Sequence, residues 1–121
     1  MSAQENLNQI MKLLFTMQII NKLYHLNTTS FARHKAFDDS ILAHIDKFAE
    51  AYIGRYKVKP LISSFKIDPE YLTDTGIKKL FIDFKQYLER YNTMFNDSDL
   101  LNIRDEILAD VNKTLYLFEL N

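Results

Sequence analysis

Apolar residues recur at spacings of three and four over four long stretches of the chain. In the first, Leu7, Ile10, Met11, Leu14, Met17 and Tyr24 share one face of a helix running from about Gln4 to Leu26. Its apolar sector covers more than half the circumference, which predicts burial on two sides, against its own bundle and against a second subunit. In the second, Phe37, Ile41, Ile45, Phe48, Tyr52 and Ile53 define a helix over 30–53, with Thr29 or Ser30 as N-cap and Gly54 as a left-handed stop. The third stripe is Ile77, Leu80, Phe81, Phe84, Leu88, Tyr91 and Phe95, on a helix over 69–95. It has two candidate starts, Asp68-Pro69 and Thr73 to Thr75. The fourth stripe, Leu100, Ile103, Ile107, Val111, Leu115 and Phe118, spans 98–119 behind a cap at Asp97 or Ser98.

The connections differ sharply in length. Asn27 to Ser30 and Asn96 to Ser98 are short polar turns, so helices one and two, and helices three and four, should pack as antiparallel hairpins. Residues 54–68 show no helical stripe and contain Pro60 and a Ser pair. Extended at ~3.3 Å per residue, they could reach ~40 Å, the length of the whole bundle. The pattern predicts one all-α domain over 1–121, a four-helix bundle of the ferritin-like kind with one long crossover between helices two and three. Arg104 lies in the apolar face of helix four and needs a partner. In the crossover topology it would approach Asp46 or Glu50, and in an alternating bundle Asp38.

The candidate chemistry sits between helices one and two. His34 and Asp38, at i and i+4, point to the middle of the apolar sector of helix two, where an unpaired charge would cost several kcal/mol. Gln18, Asn21 and His25 interrupt the facing side of helix one. Pairing symmetrically about the loop brings His25 level with His34 and Asn21 level with Asp38. Asp39, Asp46 and Glu50 form an acidic edge about 100° round the wheel, and His44 on the opposite margin reads as surface. Tyr52, Tyr56, Tyr87 and Tyr91 read as core and rim.

Composition narrows the classes. With 121 residues and 47% apolar content the chain can bury a substantial core, and two Gly and two Pro leave little room for a turn-rich β fold. The net charge of −1, with scattered basic residues, gives no electrostatic footprint for nucleic acid. The absence of cysteine rules out disulfides and thiolate metal sites. No apolar run reaches membrane-spanning length and the first residues lack a signal-peptide pattern, so a soluble protein of the host cytoplasm or a virion is expected, neither secreted nor membrane-bound. No nucleophile with an adjacent base and no phosphate loop is present. The ExxH motif of bundle-core di-iron sites is missing too.

Two runs carry a resemblance that covers nearly the whole chain: YHLNTTSFARHKAFDD…HIDKFAEAYIGRY and DLLNIRDEILADVNKTLYLFEL. They resemble a family of small proteins of tailed phages and large DNA viruses, uncharacterised in function and regarded as ferritin-like. A more distant similarity is to Dps-type mini-ferritins, in which a His ends the first helix and HxxxD and DxxxE follow on the second. His25, His34, Asp38, Asp46 and Glu50 match those residue types in that order. The gap from Asp38 to Asp46 is shorter than in the Dps pattern.

Two functions follow as expectations. In the first, His25, His34 and Asp38 hold a divalent ion, iron or zinc, with Asp46 or Glu50 supplied by the same or a neighbouring subunit, and the protein is a weak ferroxidase. In the second, the same layer is a buried polar network giving the helices register, and the chain is a non-catalytic viral component that binds a virion or host protein. A homo-oligomer, dimer or larger, is expected in either case, because the girdle of helix one and the apolar residues of Val58 to Phe65 would otherwise stay wet.

Overall fold

The structure, a computed structural model, describes residues 2–27, 40–94 and 96–119. Among them are four long helices: α1 (Ala3–Asn27), α2 (Ser40–Tyr56), α3 (Asp74–Met94) and α4 (Ser98–Phe118), with a short 3₁₀ turn, Pro69–Leu72, ahead of α3. The all-α four-helix bundle expected from the periodicity is the fold. The expected caps of helix two, Thr29 and Ser30, lie outside the described residues.

Each start and stop has a local cause. Ser2 caps α1, its Oγ accepting from the Glu5 N–H at 3.1 Å. Both candidate starts of the third helix are used in succession. The Asp68 carboxylate accepts from the Glu70 N–H at 3.0 Å and opens the 3₁₀ turn. Thr73 Oγ1 then accepts from the Gly76 N–H at 2.9 Å and opens α3. Gly76 must be glycine for a steric reason, since a Cβ there would fall 1.8 Å from the Glu70 carbonyl oxygen.

The expected stop at Gly54 is corrected. Helix α2 runs through Gly54, which has no positive φ, and ends at Tyr56 with Lys57 at φ 56°. The Lys57 N–H donates to the Ile53 carbonyl at 2.9 Å, the single 5→1 bond of an αL cap. Glycine near a helix end marks a possible stop. Here the chain turns where its apolar stripe is exhausted and Pro60 lies ahead.

The helix directions follow from contacts at the two ends. Tyr52 Oη donates to the Ala3 carbonyl, so α1 and α2 are antiparallel. Arg55 meets Asp99, which makes α2 and α4 antiparallel, and Tyr24 meets Asp74, which does the same for α1 and α3. Neighbours in the ring are α1–α2, α2–α4, α4–α3 and α3–α1. The order is therefore up, down, down, up, and it requires the crossover that the length of 54–68 predicted.

The crossover, Lys57 to Asp68, climbs the outside of α1 as a strap. Gln4 Nε2 donates to the Lys59 carbonyl at 3.3 Å, the Leu61 N–H donates to Asn8 Oδ1 at 2.7 Å, and Phe65 stacks on Phe15 with centroids 6.4 Å apart. Val58, Ile62 and Ile67 are partly buried against the core. Part of the wide apolar girdle of α1 is thus covered by the chain's own strap. Ile19, Leu23, Leu26 and Leu61 stay exposed.

The core consists of the predicted stripes. Leu7, Leu14, Tyr52, Phe81, Phe84, Leu100 and Ile107 are at most 2% exposed. Aromatic edges lock the layers across the bundle: Phe81 on Phe118, Tyr24 on Phe118, and Phe48 on Tyr91 at 5.8 Å.

Candidate functional site

The five residues expected to bind metal do not converge among the described residues. His34 and Asp38, with Asp39, lie outside them. His25 is half-buried in the last turn of α1, with its Nδ1 buried, and one turn earlier Asn21 Oδ1 is buried with no hydrogen-bond partner among the described residues. Asp46 and Glu50 are exposed on the outer face of α2. Tyr52 sits beside Ala3, so in an antiparallel pair Asp46 comes level with Gln9, about 24 Å along the axis from His25. Within one chain Asp46 and Glu50 therefore stand on a lower level of the bundle than His25. No group of three or more His, Asp or Glu able to hold a metal ion occurs among the described residues.

The polar chemistry the structure does assemble runs along the seam between α2 and α4. His44, expected on the surface, lies half-buried there with a carboxylate at each ring nitrogen: Asp110 Oδ2 is 2.6 Å from Nδ1 and Glu106 Oε2 is 3.3 Å from Nε2. Lys47, one turn on, also reaches Glu106 at 3.3 Å. On the helical wheel His44 and Arg55 fall on the same flank of α2, while Glu106 and Asp110 are i and i+4 on one flank of α4. That spacing was the available signal for the pair.

At the lower end Arg55 donates to Asp99 Oδ1 through Nε and Nη2, at 3.1 and 2.8 Å, and lies 3.3 Å from Asp97. Its guanidinium holds the Asp99 carboxyl below the usual carboxylate range, and Asp99 in turn raises Arg55. Asp97 is the N-cap of α4 by position, yet its side chain caps nothing. Instead it accepts the hydroxyl proton of Tyr56.

Tyr56 packs on Tyr52 with centroids 4.6 Å apart. Burial, then Asp97, pushes Tyr52 up to about 12, and burial with the Asp97 hydrogen bond does the same for Tyr56. Burial also raises Tyr87 and Tyr91. All four hydroxyls therefore stay protonated at neutral pH, in keeping with a place in core and rim.

Arg104 departs from its expected partners. Its side chain is 7% exposed, and it donates to the Leu88 carbonyl at 2.8 Å and to Asp105 at 2.7 Å, not to Asp46 or Glu50. A guanidinium has five donors, and a backbone carbonyl on α3 with a spare lone pair serves as well as a distant carboxylate. Beside it, among Ile10, Leu14, Phe48 and Leu88, is a cavity of about 10 Å³, room for no more than a water molecule.

Residues 25–118 match a family described as of unknown function, DUF5856. The chain belongs to DUF5856. The matched region takes in the end of α1, the whole strap and the other three helices, and so contains every polar pair of the α2–α4 seam. No curated protein and no solved structure matches this DUF5856 chain. None of its described helices is long and apolar enough to cross a membrane.

Proposed function

We propose that the chain is a non-catalytic helical module, which works by presenting its surface to a partner and uses its buried polar groups to fix helix register. The observation that carries this reading is how the candidate ligands divide. His25 stands at the upper end of α1, whereas Asp46 and Glu50 face solvent in the lower half of the bundle. The seam residues His44, Lys47 and Arg55 are engaged in cross-helix pairs. A viral structural or host-interaction role is the setting that the sequence resemblance implies.

A second reading keeps a divalent ion, iron or zinc, on His25, His34 and Asp38. Asn21 Oδ1, buried one turn before His25 and without a hydrogen-bond partner among the described residues, supports it, since a buried polar atom calls for a partner. The described residues supply only one of the three ligands.

Elemental analysis of protein purified without chelators, then incubated with ferrous iron or zinc, separates the two. Metal-free protein under both conditions supports the module. Near-stoichiometric metal that vanishes in His34→Ala supports the ion site. For the module, His34→Ala should instead lower stability by about 3 kcal/mol, the cost of removing one partner from the buried His34–Asp38 pair that the helical wheel predicts.

A further inference from the structure

Among the described residues, the lysines on the outer side of α1 and on the strap have no carboxylate partners. Lys12, Lys22, Lys57, Lys59 and Lys66 are all exposed. Among the described residues none of these ammonium groups is in an ion pair, whereas Lys47, Arg55 and Lys78 all are. The acids of this side are few: Glu5 low on α1, with Asp68 and Glu70 where the strap ends.

The same side carries the protruding aliphatic groups. Leu61, held over α1 by its N–H bond to Asn8, is 75% exposed, and Leu26 is 68% exposed. Ile19 and Leu23 add a partly exposed turn between Lys22 and the strap. On the helical wheel Lys12, Ile19, Leu23 and Leu26 lie within about 60° of one another, turned away from the core.

We propose that this face binds the headgroup layer of an anionic lipid bilayer, with the leucine tips among the upper acyl carbons and the lysines among the headgroup anions. The chemistry is that of a peripheral contact, in which aliphatic groups insert shallowly and lysine stems carry their charge back to the polar layer. Single aliphatic tips on a convex helix and strap, spaced by unpaired lysines, match a deformable anionic surface by charge and by shape. The proposal names the partner of the binding module and rests on that reading.

The test is flotation of the full chain with phosphatidylcholine vesicles, with and without about 30% phosphatidylserine. The wild-type protein should float with the anionic vesicles only and be released at high salt. The double variant Lys59→Glu, Lys66→Glu should partition at least about twenty-fivefold less, since each lysine lost is worth about a factor of five. Leu61→Asp should weaken partitioning in the same direction. All these positions are exposed, so both variants should keep the wild-type circular dichroism.

Failure to float, or equal flotation with neutral vesicles, overturns the proposal. So does a result in which the variants leave vesicle binding unchanged but break a dimer in sedimentation, which would assign the lysines to Asp46 and Glu50 of a second copy. The two readings fail separately. Metal-free protein that does not float discards the lipid face alone, and metal-loaded protein discards the module whatever the vesicles do.

Discussion

The two ends of the bundle are tied by the same chemical device in different surroundings. At the upper end Tyr24, in the last turn of α1, donates to Asp74 at the start of α3. At the lower end Tyr56, the last residue of α2, donates to Asp97 at the start of α4. Tyr24 is 2% exposed, and it is the partner that Asp74 has among the described residues. Tyr56 is only partly buried, and Asp97 also has Arg55 at 3.3 Å. A hydrogen bond matters most where its loss strands a buried group with no second partner. Asp74 is exposed, so water can replace the lost hydroxyl, and Asp97, though largely buried, keeps Arg55. The two ties should therefore be worth about the same, each relieved by a different substitute.

Alkali should act most strongly, and on the lower end. Tyr52 and Tyr56 have folded-state values raised to about 12, against about 10 in an unfolded chain. Between those values the folded state holds protons that the unfolded state has released, so this contribution is complete below pH ~10 and is lost as pH rises towards 12. Helical circular dichroism should fall together with the appearance of tyrosinate absorbance in that window. Tyrosinate absorbance at pH 10 that is lost in Tyr52→Phe or Tyr56→Phe, with full helicity, would show that these hydroxyls are not held by the fold.

Gly76→Ala is next, with a loss of about 3 kcal/mol in urea denaturation, because a backbone oxygen, which cannot swing aside as a side chain can, occupies the space of the new methyl group. An ordinary glycine inside a helix would show the opposite sign, a gain of up to ~1 kcal/mol. Tyr24→Phe and Tyr56→Phe should each cost about 1 kcal/mol or less. A loss at Tyr24 well above that at Tyr56 would mean that water does not reach Asp74. Combining Tyr56→Phe with Arg55→Gln should cost more than the two single losses together. The smallest change expected is a gain: Lys57→Gly removes the left-handed strain at φ 56° and should raise stability by up to about 1 kcal/mol.

The helices and their order were legible because the stripes repeat at three-four spacing, with helix one interrupted only at Asn21, and the connections differ in length. Thr73 and Asp68 announced their caps for the same local reason. What could not be read was decided between helices. His44 lies on the flank of its stripe, where a side chain meets either solvent or the next helix, and only the position of Glu106 and Asp110 makes it a seam residue. Arg104 lies in the apolar face as expected, but besides its neighbour Asp105 its partner across the bundle is a backbone carbonyl, to which side-chain identity gives no clue. Gly54 carried a stop signal that the backbone ignored. Asp46 and Glu50 matched a pattern by order alone, and order does not set axial level.

Because every pair of neighbours in the ring runs antiparallel, the peptide dipoles of the four helices cancel, and each end face becomes a checkerboard of two positive and two negative corners. The side chains follow that checkerboard: Glu5, Asp74 and Asp99 stand at helix starts, and His25 and Arg55 at helix ends. A charge at any corner is therefore favoured by its own helix, and the side chains at the two corners beside it are suited to carry the opposite charge. The long strap, which looks like the costly part of the connectivity, is what permits this arrangement, since it returns the chain to the top of the bundle so that α3 can descend beside α1 and α4.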